Sequence, residues 1–302
     1  MKQMRAILFL SVVFLFREVS YAWSSPGHMI IAAIAYRNLT MNEKTNVNEI
    51  LRHHPEYDHW KDRYSTNEGI DLETYVFMEA STWPDQIRRR GSPYDHPQWH
   101  YVDYPLEPPN FPDKGSPFTT NDVLYGVGQC ENVLKNKSES PEVRAAYLSW
   151  LIHLVGDMHQ PLHCATLVTT NYPAPTGDKG GNAFFVRPGA KGVNLHSIWD
   201  QGLGSSVNPR VQYNAAIEIS ASHSRTNLEE LSKDKTPESW SKESRAIAIE
   251  DGYLYGLLQG SRESADAPAL PSDYTKNLKI IAEKQAALAG FRLADEIHQF
   301  CH

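Results

Sequence analysis

The sequence predicts a mainly α-helical single domain, a multi-helix bundle with one small β-hairpin. Two long stretches, 141–157 and 274–300, carry apolar residues at helical spacing. The paired short extended runs Ala183–Val186 and Gly192–Asn194 suggest the hairpin. No internal repeat or low-complexity segment divides the 302 residues, which are enough to bury a sizeable core.

The chain opens with Lys2 and Arg5, then runs almost wholly apolar from Ala6 to Phe16 and reaches small residues at Ser20 and Ala22. That pattern reads as a secretory signal peptide over 1–22, cleaved after Ala22, leaving a domain over 23–302. No later apolar run is long enough to span a bilayer, so a protein without a membrane span, secreted or periplasmic, is expected. Cleavage removes three basic residues and one acidic one and takes the net charge from −7 to −9. Such a balance argues against a broad basic face for nucleic acid. It leaves room for an anionic substrate held by metal cations. Export permits one disulfide among Cys130, Cys164 and Cys301, with the pairing open. Sequons stand at Asn38 and Asn136.

In chain order, Trp23 would be the new N-terminus, whose amine and carbonyl could chelate a metal. Gly27 and His28 follow, and Ile30, Ile31, Ile34 and Leu39 form an apolar stripe. Residues 41–71 read as a helix and a long loop whose His53, His54 and His59 are solvated. Tyr75 to Trp83 reads as a helix, with Asp85 on the loop behind it. Trp99 to Asp103 reads as a short strand, His100 and Val102 on one side and Tyr101 and Asp103 on the other. The Pro-rich 104–121 fits no regular element. Asn121 is read as the cap of a helix to about Lys137, and Pro141 as the start of the central helix. A flexible Gly/Pro loop at 166–182 precedes the hairpin, and from 209 the pattern is helical, ending in an apolar stripe from Leu278 to Ile297.

The central helix runs into His153-Leu-Val-Gly-Asp157-Met-His159-Gln-Pro161-Leu-His163. His153 and Asp157, four apart, share one helix face. Pro161 cannot continue the helix, so His163 leaves at a new angle and can face a second metal. Neutral imidazole with carboxylate suits zinc. His196 and Asp200 repeat the spacing.

Together the motifs W-x3-G-H, W-P-D-Q-I-R, W-H-Y-V-D, H-L-V-G-D-M-H-Q-P-L-H and G-G-N…N-L-H-S-I-W-D, spread over 23–200, resemble the zinc-dependent single-strand-specific nucleases and 3′-nucleotidases. That family includes fungal extracellular and plant bifunctional nucleases and shares the phospholipase C/nuclease-like fold. The resemblance implies three zinc ions. Asp85, His100, His153 and Asp157 would hold the first; Trp23, His28 and the bridging Asp157 the second; His163, His196 and Asp200 the third. Zinc lowers the pKa of bound water toward about 7, supplying a nucleophile. Arg88 and Asp103 match a pair beside the scissile phosphate, Tyr101 a base-stacking position and Asn182 a base-edge contact. The implied enzyme is a monomeric hydrolase cutting single-stranded RNA and DNA to 5′-phosphorylated products and removing 3′-phosphate from nucleotides. Departures remain: fungal members carry two disulfides, which three cysteines cannot make; Cys164 follows a ligand position directly; His159 matches none and is read as supporting a ligand or exposed. The rival readings are a zinc-dependent phospholipase C and a non-catalytic zinc-binding protein.

Overall fold

The structure, a computed structural model, describes residues 23–66, 69–88, 91–109, 111 and 116–301. The proposed leader at 1–22 lies outside the described residues. In chain order the helices are α1 (Ser25–Asn38), α2 (Met41–Leu51), α3 (Tyr57–Arg63), α4 (Leu72–Ala80), α5 (Trp83–Gln86), α6 (Val123–Lys135) and α7 (Pro141–Met158). After them come α8 (Leu195–Asp200), α9 (Pro209–Ser222), α10 (Glu230–Lys233), α11 (Pro237–Ile247) and the long α12 (Tyr274–Phe300). Strands are minimal. Pro105–Leu106 (β1) pairs in parallel with Thr166–Leu167 (β2). Phe185–Val186 (β3) and Val193–Asn194 (β4) form the expected antiparallel hairpin, with Phe185 opposite Asn194.

Helix α1 is the axis of the bundle. Pro26 sits in its first turn, where the missing N–H costs nothing, and Pro26 through Tyr36 are all buried. The stripe read from the sequence is therefore too narrow: α4, α7, α9 and α12 pack around the helix and leave it no solvent face. Helix α7 is likewise buried throughout its second half, from Leu148 to Met158. Ser140 caps it, accepting from the Val143 N–H, and it stops three residues before Pro161. Each isoleucine of α1 contributes about 1.5–3 kcal/mol by leaving water, which fixes the two helices that carry His28 and His153 against one another.

Several local expectations change. Asp85 lies inside the short helix α5, because Pro84 is tolerated in a first turn, and not on a loop. Residues 41–71 hold two helices, α2 and α3. Residues 99–103 pair too little to be a strand, since Val102 N–H donates only to His163 O, 2.8 Å, yet His100 and Val102 are buried and Tyr101 and Asp103 face outward as the alternation requires. Asp122, not Asn121, caps α6; Asn121 instead accepts from Trp99 Nε1 at 2.9 Å. His54 is buried, stacked on Trp60 with ring centroids 4.4 Å apart, while His53 and His59 are exposed. All three cysteines are free and buried.

Candidate metal centre

Six segments, α7 among them, converge at one end of that helix. His28 comes from α1, Asp85 from α5, His100 from the extended 99–103 segment, His153 and Asp157 from α7. His163 lies on a single 3-10 turn, Pro161–Cys164, and His196 and Asp200 on α8. These residues form three clusters of potential ligand atoms: His28, His153 and Asp157; Asp85, His100 and His153; and His163, His196 and Asp200.

Asp157 stands between the first two. Its Oδ1 lies 3.2 Å from His28 Nε2, and its Oδ2 lies 3.0 Å from His100 Nδ1 and 3.1 Å from His153 Nε2. Asp85 Oδ1 closes the second cluster at 3.8 Å from His100 Nδ1 and 3.9 Å from His153 Nε2. In the third cluster His163 Nε2 and His196 Nε2 are 3.0 Å apart, and Asp200 Oδ1 is 3.4 Å from His196 Nε2.

Backbone carbonyls set the tautomers. His153 Nδ1–H donates to Ser81 O at 2.7 Å, His163 Nδ1–H to His100 O at 2.6 Å and His196 Nδ1–H to Gly180 O at 2.6 Å. Each leaves a bare Nε2 facing the cluster, the arrangement a metal-ligating imidazole needs. His100 alone presents Nδ1. Nitrogen pairs 2.9 and 3.0 Å apart put lone pair against lone pair. Two imidazoles on one tetrahedral zinc at about 2.0–2.1 Å hold their nitrogens about 3.3 Å apart, so a shared cation accounts for the approach. Buried polar atoms without a hydrogen-bond partner face the same place: His28 Nε2, Asp85 Oδ1 and Asp157 Oδ1. Buried groups are paired unless an ion completes them, so the residues fit metal.

Burial shifts every titrating group. It lowers His28 and His196 to about 4 and depresses His100, His153 and His163, which keeps the imidazoles neutral. The same burial pushes Asp85 and Asp157 up to about 6 and raises Asp200. Neutral imidazoles are ready for a cation, and a bound cation would favour the ionised carboxylates against their burial.

Trp23 is fully buried at the start of α1, beside Gly27. Its nitrogen is a peptide nitrogen in the full-length chain and becomes an amine only on cleavage after Ala22. A cleft of about 490 Å³ opens over His163 and His196, lined by Arg88, Tyr101, Asp103, Phe118 and Asn182 among others. Arg88 Nη1 lies 3.6 Å from Asp85 Oδ1, and burial, with Asp178 and Asp122 nearby, pushes Asp103 up to about 6. Cys164 points away, donating to Met158 O at 3.3 Å. His159 is neither exposed nor aimed at a cluster: its Nδ1–H donates to Val155 O and its Nε2 accepts from Arg292, 2.8 Å.

Sequence reasoning passed over two residues that shape the centre. Gln160 Nε2 donates to Asp200 Oδ1 at 2.7 Å, while its Oε1 accepts from Leu162 N–H. Gly156 makes room for His28; a Cβ there would lie 2.9 Å from the imidazole. Its signal was present, since a glycine inside a helix costs about 1 kcal/mol and usually has a packing reason.

The S1/P1 Nuclease family profile matches residues 23–302. Among curated proteins the chain is 27% identical to Endonuclease 4 of Arabidopsis thaliana over 247 residues, 72% of this chain and 75% of the relative. It is 22% identical to Nuclease S1 of Aspergillus oryzae over 301 residues, 92% of this chain and 91% of the relative, and 24% identical to Nuclease P1 of Penicillium citrinum over 181 residues, 59% and 57%. With three His/Asp clusters that could hold metal and a mainly helical, phospholipase C/nuclease-like fold, the chain belongs to the S1/P1 nuclease family, hydrolases that act on nucleic acids.

Proposed function

We propose that residues 23–302 are the mature domain of an exported, zinc-dependent phosphodiesterase that cleaves single-stranded RNA and DNA to 5′-phosphorylated products and removes 3′-phosphate from nucleotides. On this reading it is released by cleavage after Ala22, in keeping with a family match that begins at Trp23. The observation that carries the reading is Asp157, one carboxylate with an oxygen turned to each of two buried clusters.

Three zinc ions fit the donor sets: Asp85, His100, His153 and Asp157; Trp23, His28 and Asp157; His163, His196 and Asp200. When bound, they supply Lewis acidity and a lowered pKa for water near neutral pH. The chain does the rest. Ser81, His100 and Gly180 carbonyls hold the imidazoles in one tautomer. Arg88, at the cleft wall, offers planar donors to the negative charge that grows on the phosphate, and Asp103 shares that wall to orient it. Tyr101 gives a nucleobase a face to stack on, and Asn182 polar atoms for its edge. The clusters are buried beneath the cleft, so a base must leave its stack for the phosphate to reach them. Duplex makes that costly, which favours unpaired strands.

The test compares single-stranded RNA and DNA with duplex, using protein that begins at Trp23 and an otherwise identical protein with one extra N-terminal residue, each with and without chelator. Chelator-sensitive cleavage of single strands, weakened by the extra residue, is expected. Cleavage indifferent to the extension removes Trp23 from the metal set. Protein that binds zinc but cleaves no nucleic acid overturns the reading.

A further inference from the structure

One wall of the cleft is not explained by the metal chemistry. Residues 173–182 form it, and Pro175, Thr176, Lys179, Gly180 and Asn182 line the cleft. The sequence suggests a flexible Gly/Pro loop, yet the structure hangs it from a buried carboxylate. Asp178 is fully buried; its Oδ1 accepts from the Leu167 N–H at 2.8 Å and its Oδ2 from the Tyr253 hydroxyl at 2.7 Å. Its own carbonyl accepts from the Ala183 N–H at 2.9 Å.

The next residue, Lys179, has φ +60°, followed by Gly180 at +59° and Gly181 at +83°. The two glycines adopt that region freely, but a lysine there costs about 1–3 kcal/mol and persists only when its surroundings dictate it. Asp178 on one side and the Asn182 side chain, which donates to Lys179 O at 2.9 Å, supply that constraint. A glycine would fit the turn more cheaply, so the conformation does not call for a lysine; what the lysine adds is a charge at the cleft.

Arg88 and Lys179 are the cationic side chains among the described residues that line the cleft, setting aside the neutral histidines. Arg88 is engaged with Asp85. Lys179 is exposed and has no carboxylate partner among the described residues. The scissile phosphate belongs to the clusters at the floor, whereas a strand carries further phosphates along the wall. A compact ammonium on a flexible stem suits such a phosphate as a point charge.

We propose that Lys179 contacts the phosphate next to the scissile one and so sets the preference for polynucleotide over substrates with a single phosphate. This rests on the nuclease reading above. The experiment uses mature protein loaded with zinc and compares Lys179→Gln, Lys179→Arg and a control, Lys276→Gln, an exposed lysine on α12. The substrates are pentathymidylate and thymidylyl-thymidine, which has one phosphate. Lys179→Gln is expected to lower kcat/KM on pentathymidylate about tenfold, mainly through KM, and to change thymidylyl-thymidine less than twofold. Its slope of log kcat/KM against log salt should be shallower by about 0.7, the value for one phosphate contact on a single strand. Lys179→Arg should recover most of the loss and Lys276→Gln show none. Equal losses on both substrates, or an unchanged pentathymidylate, overturn the assignment. Binding of fluorescent pentathymidylate, read by anisotropy, needs no turnover. If wild-type protein is inert on both substrates the nuclease reading fails, and the same tenfold difference in binding still decides the role of Lys179.

Discussion

The two clusters that meet at His153 and Asp157 and the cluster of His163, His196 and Asp200 lie in one molecule but are finished differently. The paired clusters are sealed, with His100, His153 and Asp157 fully buried and three unsatisfied polar atoms facing them. They hang mainly on α1 and α7, each buried over most of its length. The third cluster lies at the cleft and is anchored by protein: His163 and His196 donate Nδ1–H to carbonyls and Asp200 accepts from Gln160, while the two bare Nε2 atoms still face each other. An unsatisfied buried group carries a penalty of about 1–3 kcal/mol, more when charged. The paired clusters are therefore expected to depend more on their cations for stability than the outer one, whose side chains are also held by carbonyls and Gln160.

The sharpest way to break that contrast is Asp157→Asn. With one carboxylate shared by two clusters, the variant is expected to lose metal from both and to lose detectable nuclease activity, read by elemental analysis and a single-strand cleavage assay. Full activity would dissolve the distinction. Next in size, chelation of wild-type protein should lower Tm by about 5 °C or more, because ligands that bind only the folded state stabilise it. His196→Ala should lose one metal equivalent with little change in Tm. Equal Tm losses would mean the outer cluster is as dependent on its cation as the paired ones.

Smaller effects sharpen the picture of the outer cluster. Gln160→Leu leaves every donor in place but frees Asp200, and about a 10–100-fold loss in affinity for the outer metal is expected by competition with a chromophoric chelator. Tyr253→Phe acts one step further out, through Asp178 and the turn that carries Gly180. Burial pushes Asp178 up to about 6 from an ordinary 3.8, so the folded state binds this proton more tightly than the unfolded chain. Stability accordingly falls as pH rises from about 4 to about 6. The Tyr253 hydroxyl favours the ionised form, so removing it should cost about 1–3 kcal/mol above pH 6 and less at pH 5, seen as a larger drop in Tm at pH 8. The inner metals should be unaffected.

Much of the centre was readable from spacing. His153 with Asp157 and His196 with Asp200 share helix faces by the four-residue rule, and Pro161 re-aims His163 as its ring geometry requires. The helical periodicity gave α7 and α12, and the paired extended runs gave the hairpin, with small errors at their ends. Contacts that join distant segments were not readable. Nothing local marks Ser81 O as the acceptor for His153, Gln160 as the partner of Asp200, or Asp178 and Tyr253 as the anchor of the 173–182 wall. His54, read as solvated, is buried because α3 brings Trp60 over it.

The sequence by itself determined the helical class, the order of the metal-binding residue types and the faces on which the i, i+4 pairs stand, because those depend on backbone geometry over a few residues. Only the tertiary structure decided which oxygen of Asp157 meets which histidine, which tautomer each imidazole adopts, and where Lys179 points. Those depend on carbonyls, burial and packing contributed by segments distant in the chain, 75 residues apart for Asp178 and Tyr253 and further for His28 and Asp157.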